Sequence, residues 1–311
     1  MKLPIPFIGK KKQEGSYYLA LLLGEDKATA VVLRETLGKV HSLGKHTENF
    51  PESIETLPIE TLTDLLDKTI SRDEEILPPQ VETHQTVFGV KSNWVDEETK
   101  KIKPKYLDRL KKVCHELDLT PIGFMVLIEA ITNLLQEEDG APVSALLAEI
   151  GKTTITITLL KGGNMGETLS SPQEEDSPVA TVDKLLHHIT APVLPTRIIL
   201  LNSEISEHLT QQFISHHWTK NLPFLHVPEI TVLPEGFAGR AITYGAAKQM
   251  GFTVVDPDQE KVRTINSKAD EQEVKETPII LEKEDETEID KEALEEVTSE
   301  ETLPKETVGA T

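Results

Sequence analysis

The chain has 311 residues, 38% of them hydrophobic, with a formal net charge of −21 and one cysteine. That length admits one or two domains with a sizeable core, and a lone cysteine excludes a disulfide framework or a cysteine-based metal cluster. A strongly negative chain without a basic, aromatic-interleaved face excludes nucleic acid as a partner, and the cysteine usage fits a reducing cytoplasm.

Residues 1–15 read as an arm in which Leu3, Ile5, Phe7 and Ile8 precede Lys10, Lys11 and Lys12. An export signal carries its charge first and an unbroken apolar run after it, so this order, interrupted by Pro4 and Pro6, excludes one. Phe7, Lys10, Lys11 and Lys12 are candidates for contact with an anionic membrane surface, where each lysine contributes about 1 kcal/mol. A solvated arm is the plain alternative. No window reaches the roughly 18 consecutive apolar residues of a spanning helix.

An apolar run, Leu19 to Leu23, then meets Gly24, and a second apolar run begins at Ala28. Apolar run, glycine turn and β-rich run together predict a tight hairpin in a buried sheet. Beyond it the spacing of Leu62, Leu65, Leu66 and Ile70 predicts a helix over 61–70, closed by Pro78-Pro79, and 86–90 predicts a strand. Residues 105–117 place Tyr106, Leu107, Leu110, Val113, Cys114 and Leu117 on one helical face, so Cys114 reads as a structural thiol. A buried strand over 122–128 follows, and Glu129-Ala130-Ile131 opens the next helix.

The hairpin pattern then recurs about 125 residues on, as Leu146 to Ile150, Gly151, and Ile155 to Leu160. Helices over 182–189, 206–217 and 239–250 alternate with strands over 198–201 and 230–233, which predicts an α/β sheet with covered faces. The adjacent pairs His187-His188 and His216-His217 point about 100° apart on a helix and do not chelate from one face, so no metal site is expected. No Gly-x-Ser-x-Gly elbow occurs, and Gly151-Lys152-Thr153 lacks the upstream glycine of a phosphate loop, its place being taken by Leu146. No catalytic residue is assigned.

The double hairpin resembles the actin-like ATPase superfamily, in the PilM/FtsA-type branch of pilus assembly and cell division, where each half opens with an Asp-x-Gly hairpin. The resemblance spans 17–252 and implies an α/β fold of two duplicated, ribonuclease H-like halves around a cleft. It places Leu22 where the first aspartate stands and Glu149 where the second stands. The family's glycine-rich turn, expected after the strand Ile198 to Leu201, is replaced by Asn202-Ser203-Glu204. The candidate nucleotide-binding residues are therefore Gly24, Glu149, Gly151, Thr153, Thr154 and Glu129.

Leucine offers no ligand to Mg²⁺, which demands hard oxygen donors in near-octahedral geometry. Glu149 reads either as a surviving metal anchor or as a polar strand end, and Glu129 as a cleft acid or a first-turn acid favoured by the helix dipole. Thr153 and Thr154 have hydroxyls to offer a phosphate. Gly24 and Gly151 are expected simply because glycine relieves the cost of positive φ in a turn.

Residues 256–311 carry nineteen acidic and seven basic side chains, a net −12, and no aromatic. Low hydrophobicity with high net charge predicts disorder. Within this tail Pro278, Ile279, Ile280 and Leu281 form an apolar island suited to adding a strand to a partner's sheet, and Ile289, Ala293, Leu294 and Val297 are able to line a transient helix.

The expected organisation is an arm (1–15), a first half (16–140), a second half (141–255) and an acidic tail (256–311). The expected function is a non-hydrolysing scaffold in a membrane-associated assembly, cytoplasmic or peripheral to the inner face of the membrane. Its partners would be proteins, through self-assembly or membrane-complex subunits, and it would take no cofactor. The alternatives are an ATPase that binds Mg-ATP through Glu149 and a sugar or acetate kinase relative.

Overall fold

The computed structural model describes residues 15–255 other than 80, 97, 174–176 and 203–205. The arm with Phe7 and Lys10 to Lys12, and the tail with Pro278 to Leu281, lie outside the described residues.

The first hairpin joins β1 (Ser16–Leu23) to β2 (Lys27–Thr36), and β2 returns antiparallel as β3 (Lys39–Asn49). After α1 (Ile59–Glu74), β4 (Gln85–Val90) pairs parallel with β1; after α2 (Pro104–Glu116), β5 (Thr120–Val126) pairs parallel with β4; α3 (Leu127–Asp139) follows. The sheet order is therefore β3-β2-β1-β4-β5. The chain then repeats this itinerary. Hairpin β6 (Ala145–Ile150) and β7 (Thr154–Lys161) continues into β8 (Asn164–Pro172), α4 (Pro178–Leu186), β9 (Arg197–Asn202), α5 (Glu207–Ser215), β10 (Glu229–Val232) and α6 (Phe237–Gln249). The second sheet runs β8-β7-β6-β9-β10 with the same directions at every pairing. Two identical topologies in one chain are the duplication that the repeated hairpin predicted.

The last strand, β11 (Thr253–Val254), crosses back and pairs parallel with β3. Helices α3 and α6 pack on each other. Their residues Ile131, Leu135, Ala241, Ile242 and Ala246 lie in one apolar cluster with the first sheet and with Leu147, Leu160 and Ile199 of the second. The opposite face of the second sheet, including Leu146, Ala148, Ile157 and Ile198, forms a separate cluster with α4 and Phe213 of α5.

Strands β3 and β8 were not predicted. Their sequences are mostly polar because each flanks the buried strands with little of its own surface covered. Their turns did carry a local signal: Leu37-Gly38 and Gly162-Gly163 all have positive φ, as a two-residue hairpin turn requires. The strand expected over 122–128 ends at Val126, and helix α3 starts at Leu127. A continuous apolar run does not mark where a buried strand becomes a buried helix.

Candidate functional site: two turns facing across a cleft

The two hairpin turns close in the same way. The Gly24 N–H donates to the Lys27 carbonyl at 2.9 Å and the Gly151 N–H to the Thr154 carbonyl at 3.0 Å. Neither glycine has a positive φ, which corrects the turn-geometry reason expected for them. They are needed for clearance. A Cβ on Gly24 would come 3.0 Å from the Lys27 carbonyl oxygen; one on Gly151 would come 2.8 Å from that of Thr154 and would collide with the Glu25 carboxylate.

Gly24, Glu149 and Gly151 line one cavity of about 370 Å³ together with Leu22, Glu25 and Asp26. Across it the turns are bonded to each other. The Thr153 backbone N–H donates to Glu25 Oε1 at 3.0 Å, and the Thr153 hydroxyl donates to the same oxygen. Lys91 Nζ, following β4, lies 3.7 Å from Glu25 Oε2, with both side chains about 5% exposed. In the reciprocal contact Lys152 Nζ of the second turn lies 3.6 Å from Asp26 Oδ2 of the first. The second residue of each turn thus meets the third residue of the other. The first turn is held from behind by the Phe50 N–H, which donates to the Asp26 carbonyl at 2.6 Å, and the Ile54 N–H, which donates to the Glu25 carbonyl at 2.7 Å.

Glu149, the penultimate residue of β6, lies beside this network. It keeps some opening to the cavity, but desolvation pushes its carboxyl pKa up; Lys91 opposes that shift, and the nearby carboxylates of Glu25 and Asp26 add to it. Leu22 is a core residue rather than a blank ligand position. It is 4% exposed and sits in register with Gly89, where an added Cβ would meet Leu22 Cδ1 at 3.0 Å and the side chain of Ile242.

Of the other candidates, Thr154 borders a neighbouring groove with Lys152 and Asn93. Glu129 is exposed on a different groove, beside Lys100 and Lys248, away from both turns. Ser203 and Glu204, which replace the expected glycine-rich turn, lie outside the described residues. A glycine does enter the cleft elsewhere: Gly236, with φ of 84°, caps the start of α6 and lines the cavity. Its signal in the sequence is Pro234-Glu235-Gly236 immediately before a helix. Sequence reasoning also missed Glu25, Asp26, Lys91 and Lys152, because charged turn residues ordinarily face solvent. The histidines lie elsewhere, His187 and His216 meeting at Asp183 at 3.7 and 3.2 Å. Among the described residues no group of three His, Cys, Asp or Glu side chains is placed to hold a metal ion.

A nucleotide with Mg²⁺ needs backbone N–H groups free to cradle phosphate and ionised carboxylates for the metal or its waters. In the described conformation Leu22 contributes no oxygen, Glu149 is disfavoured as an anion, and the Thr153 N–H is taken by Glu25. The residues present do not fit Mg-ATP in this arrangement.

Comparison of the sequence with protein-family models gives no match, and comparison with curated proteins gives none. Among solved structures the chain is similar to the ethanolamine utilization protein EutJ from Carboxydothermus hydrogenoformans, with a TM-score of 0.49 and 13% identity over 73% of this chain and 89% of that one. It is similar to a PilM–PilN type IV pilus biogenesis complex, with a TM-score of 0.45 and 10% identity over 76% and 97%. A hexokinase of the ROK type from Thermus thermophilus gives a TM-score of 0.40 and 14% identity over 75% and 100%. In this chain two sheets of one strand order each contribute the turn of their first hairpin to a common cavity. Among the described residues no helix is long and apolar enough to cross a membrane.

Proposed function

We propose that this chain is a non-hydrolysing actin-like scaffold in a membrane-associated assembly of the pilus or cell-division type. One observation supports this reading above the rest: the two turns that would embrace a nucleotide's phosphates are bonded to each other, Glu25 to Thr153 and Asp26 to Lys152. Phosphoryl transfer depends on charge stabilisation by positioned metal and donors, and the cleft directs its donors inward to its own carboxylates. The scaffold's partners are proteins, reached through the apolar island Pro278 to Leu281. The arm at Phe7 and Lys10 to Lys12 adds peripheral contact with the inner face of a membrane, and the protein is cytoplasmic.

The test is Mg²⁺-dependent ATP turnover by the full chain and by Glu149→Ala. The expected result is no measurable difference between them. A second reading, an ATPase, is favoured by Glu149 alone, because a carboxyl with a raised pKa opening into a cleft is suited to general base work. A Mg²⁺-dependent rate that Glu149→Ala abolishes replaces the scaffold reading with that one.

A further inference from the structure

We propose that the Glu25 carboxylate is the built-in occupant of an oxyanion seat on the second turn, and that an external phosphoryl group enters only when Glu25 is displaced. This rests on the cleft being the site described above.

Three donors converge on Glu25: the Thr153 backbone N–H, the Thr153 hydroxyl and the Lys91 ammonium. Backbone N–H, hydroxyl and cation together are the donor set that recognises a phosphoryl group, since each is strongest toward an ionised oxygen. Gly151 completes the seat. Its missing Cβ leaves the space into which Glu25 Oε2 projects, and any side chain there would collide with that oxygen. Lys152 stands at the rim as a further cation and is engaged by Asp26 at 3.6 Å. Every cationic or N–H donor of the seat therefore faces a carboxylate from the first turn. A second cavity, of about 620 Å³, is bordered by both Glu25 and Asp26, so a displaced Glu25 side chain has room to rotate without unfolding the turn.

A tethered occupant lowers the apparent affinity for a free ligand by the fraction of time the seat is empty. Occupancy of nine parts in ten costs about tenfold, and higher occupancy costs more.

The probe is inorganic pyrophosphate without metal, titrated calorimetrically into the full chain at low salt, with melting temperature followed in parallel. Wild type is expected to bind weakly or not at all. Glu25→Ala is expected to bind at least ~10-fold more tightly and to melt higher in its presence. Glu25→Gln, which keeps an oxygen toward Thr153 but removes the charge, is expected to fall between them. Adding Thr153→Ala to Glu25→Ala should return affinity toward wild type. Equal affinities for wild type and both folded Glu25 variants, including none at all, overturn the assignment. If both variants fail to fold, pyrophosphate at millimolar concentration should restore folding, and failure to do so also overturns it. ATP turnover by wild type would remove the scaffold reading and leave this comparison standing; equal pyrophosphate binding would do the reverse.

Discussion

Glu25 of the first turn accepts the Thr153 N–H of the second at 3.0 Å, across 128 residues of chain. The same carboxylate neutralises Lys91, which is about 5% exposed. Removing one partner of a buried ion pair leaves the other uncompensated, which costs far more than the pair contributes on balance. Glu25→Ala is therefore expected to lower stability by about 3 kcal/mol. Denaturant melts of the two proteins check this, and a change below the error of the melt would mean the contact between the turns is not held in solution.

Placing an aspartate at position 22 should not create an ATPase. Leu22 lies beside Gly89 in the first sheet's apolar cluster with 4% exposure, so Leu22→Asp exchanges core packing for a buried carboxylate. The expected cost is at least about 2 kcal/mol with no gain in Mg²⁺-dependent ATP turnover. Melting and turnover measured on one preparation decide it; a variant as stable as wild type that hydrolyses ATP would refute the account of Leu22.

Asp73 on α1 carries a predictable pH signature. It is 3% exposed, its Oδ2 has no hydrogen-bond partner, and burial pushes its pKa up to about 6 against the stabilising hydrogen bond from Val32. The folded chain holds this proton more tightly than the unfolded one, so the contribution of Asp73 to stability is full below the ordinary carboxylate range and is lost as pH rises through about 6. Asp73→Asn should stabilise the protein at neutral pH by about 1–2 kcal/mol, allowing for partial solvent relaxation, and should make no difference below about pH 4. Melting curves across that range test the sign; a variant destabilised equally at every pH would show that the carboxyl serves as a hydrogen-bonding group alone.

Cys114 is half-buried on α2, and desolvation raises its thiol pKa. Because the thiolate is the reactive form, a disulfide reagent should modify it at least ~10-fold more slowly in the folded chain than in urea at neutral pH. Equal rates would place the thiol in open solvent.

The repeated fold was legible because its signals are local. A β-rich run, a glycine and a second run specify a hairpin from a dozen neighbouring residues, and Leu19 to Leu33 and Leu146 to Leu160 both formed one. The helices announced themselves through the spacing of residues such as Leu62, Leu66 and Ile70, all buried on α1. Strands β3 and β8 carried only the quieter signal of Leu37-Gly38 and Gly162-Gly163, because a flanking strand exposes too much of itself to need an apolar pattern.

Local sequence was enough to specify the two hairpins and the alternation of strands and helices, since each depends on neighbours in the chain. Only the tertiary structure decided what the turns do. Glu25 and Asp26 look like solvent-facing turn residues until folding brings Thr153, Lys152 and Lys91 against them. Gly151 looks like a residue chosen for backbone freedom until the Glu25 oxygen occupies the space of its missing side chain. A contact spanning 128 residues has no local signature, because its energy comes from burial and charge pairing that exist only once the two sheets face one another.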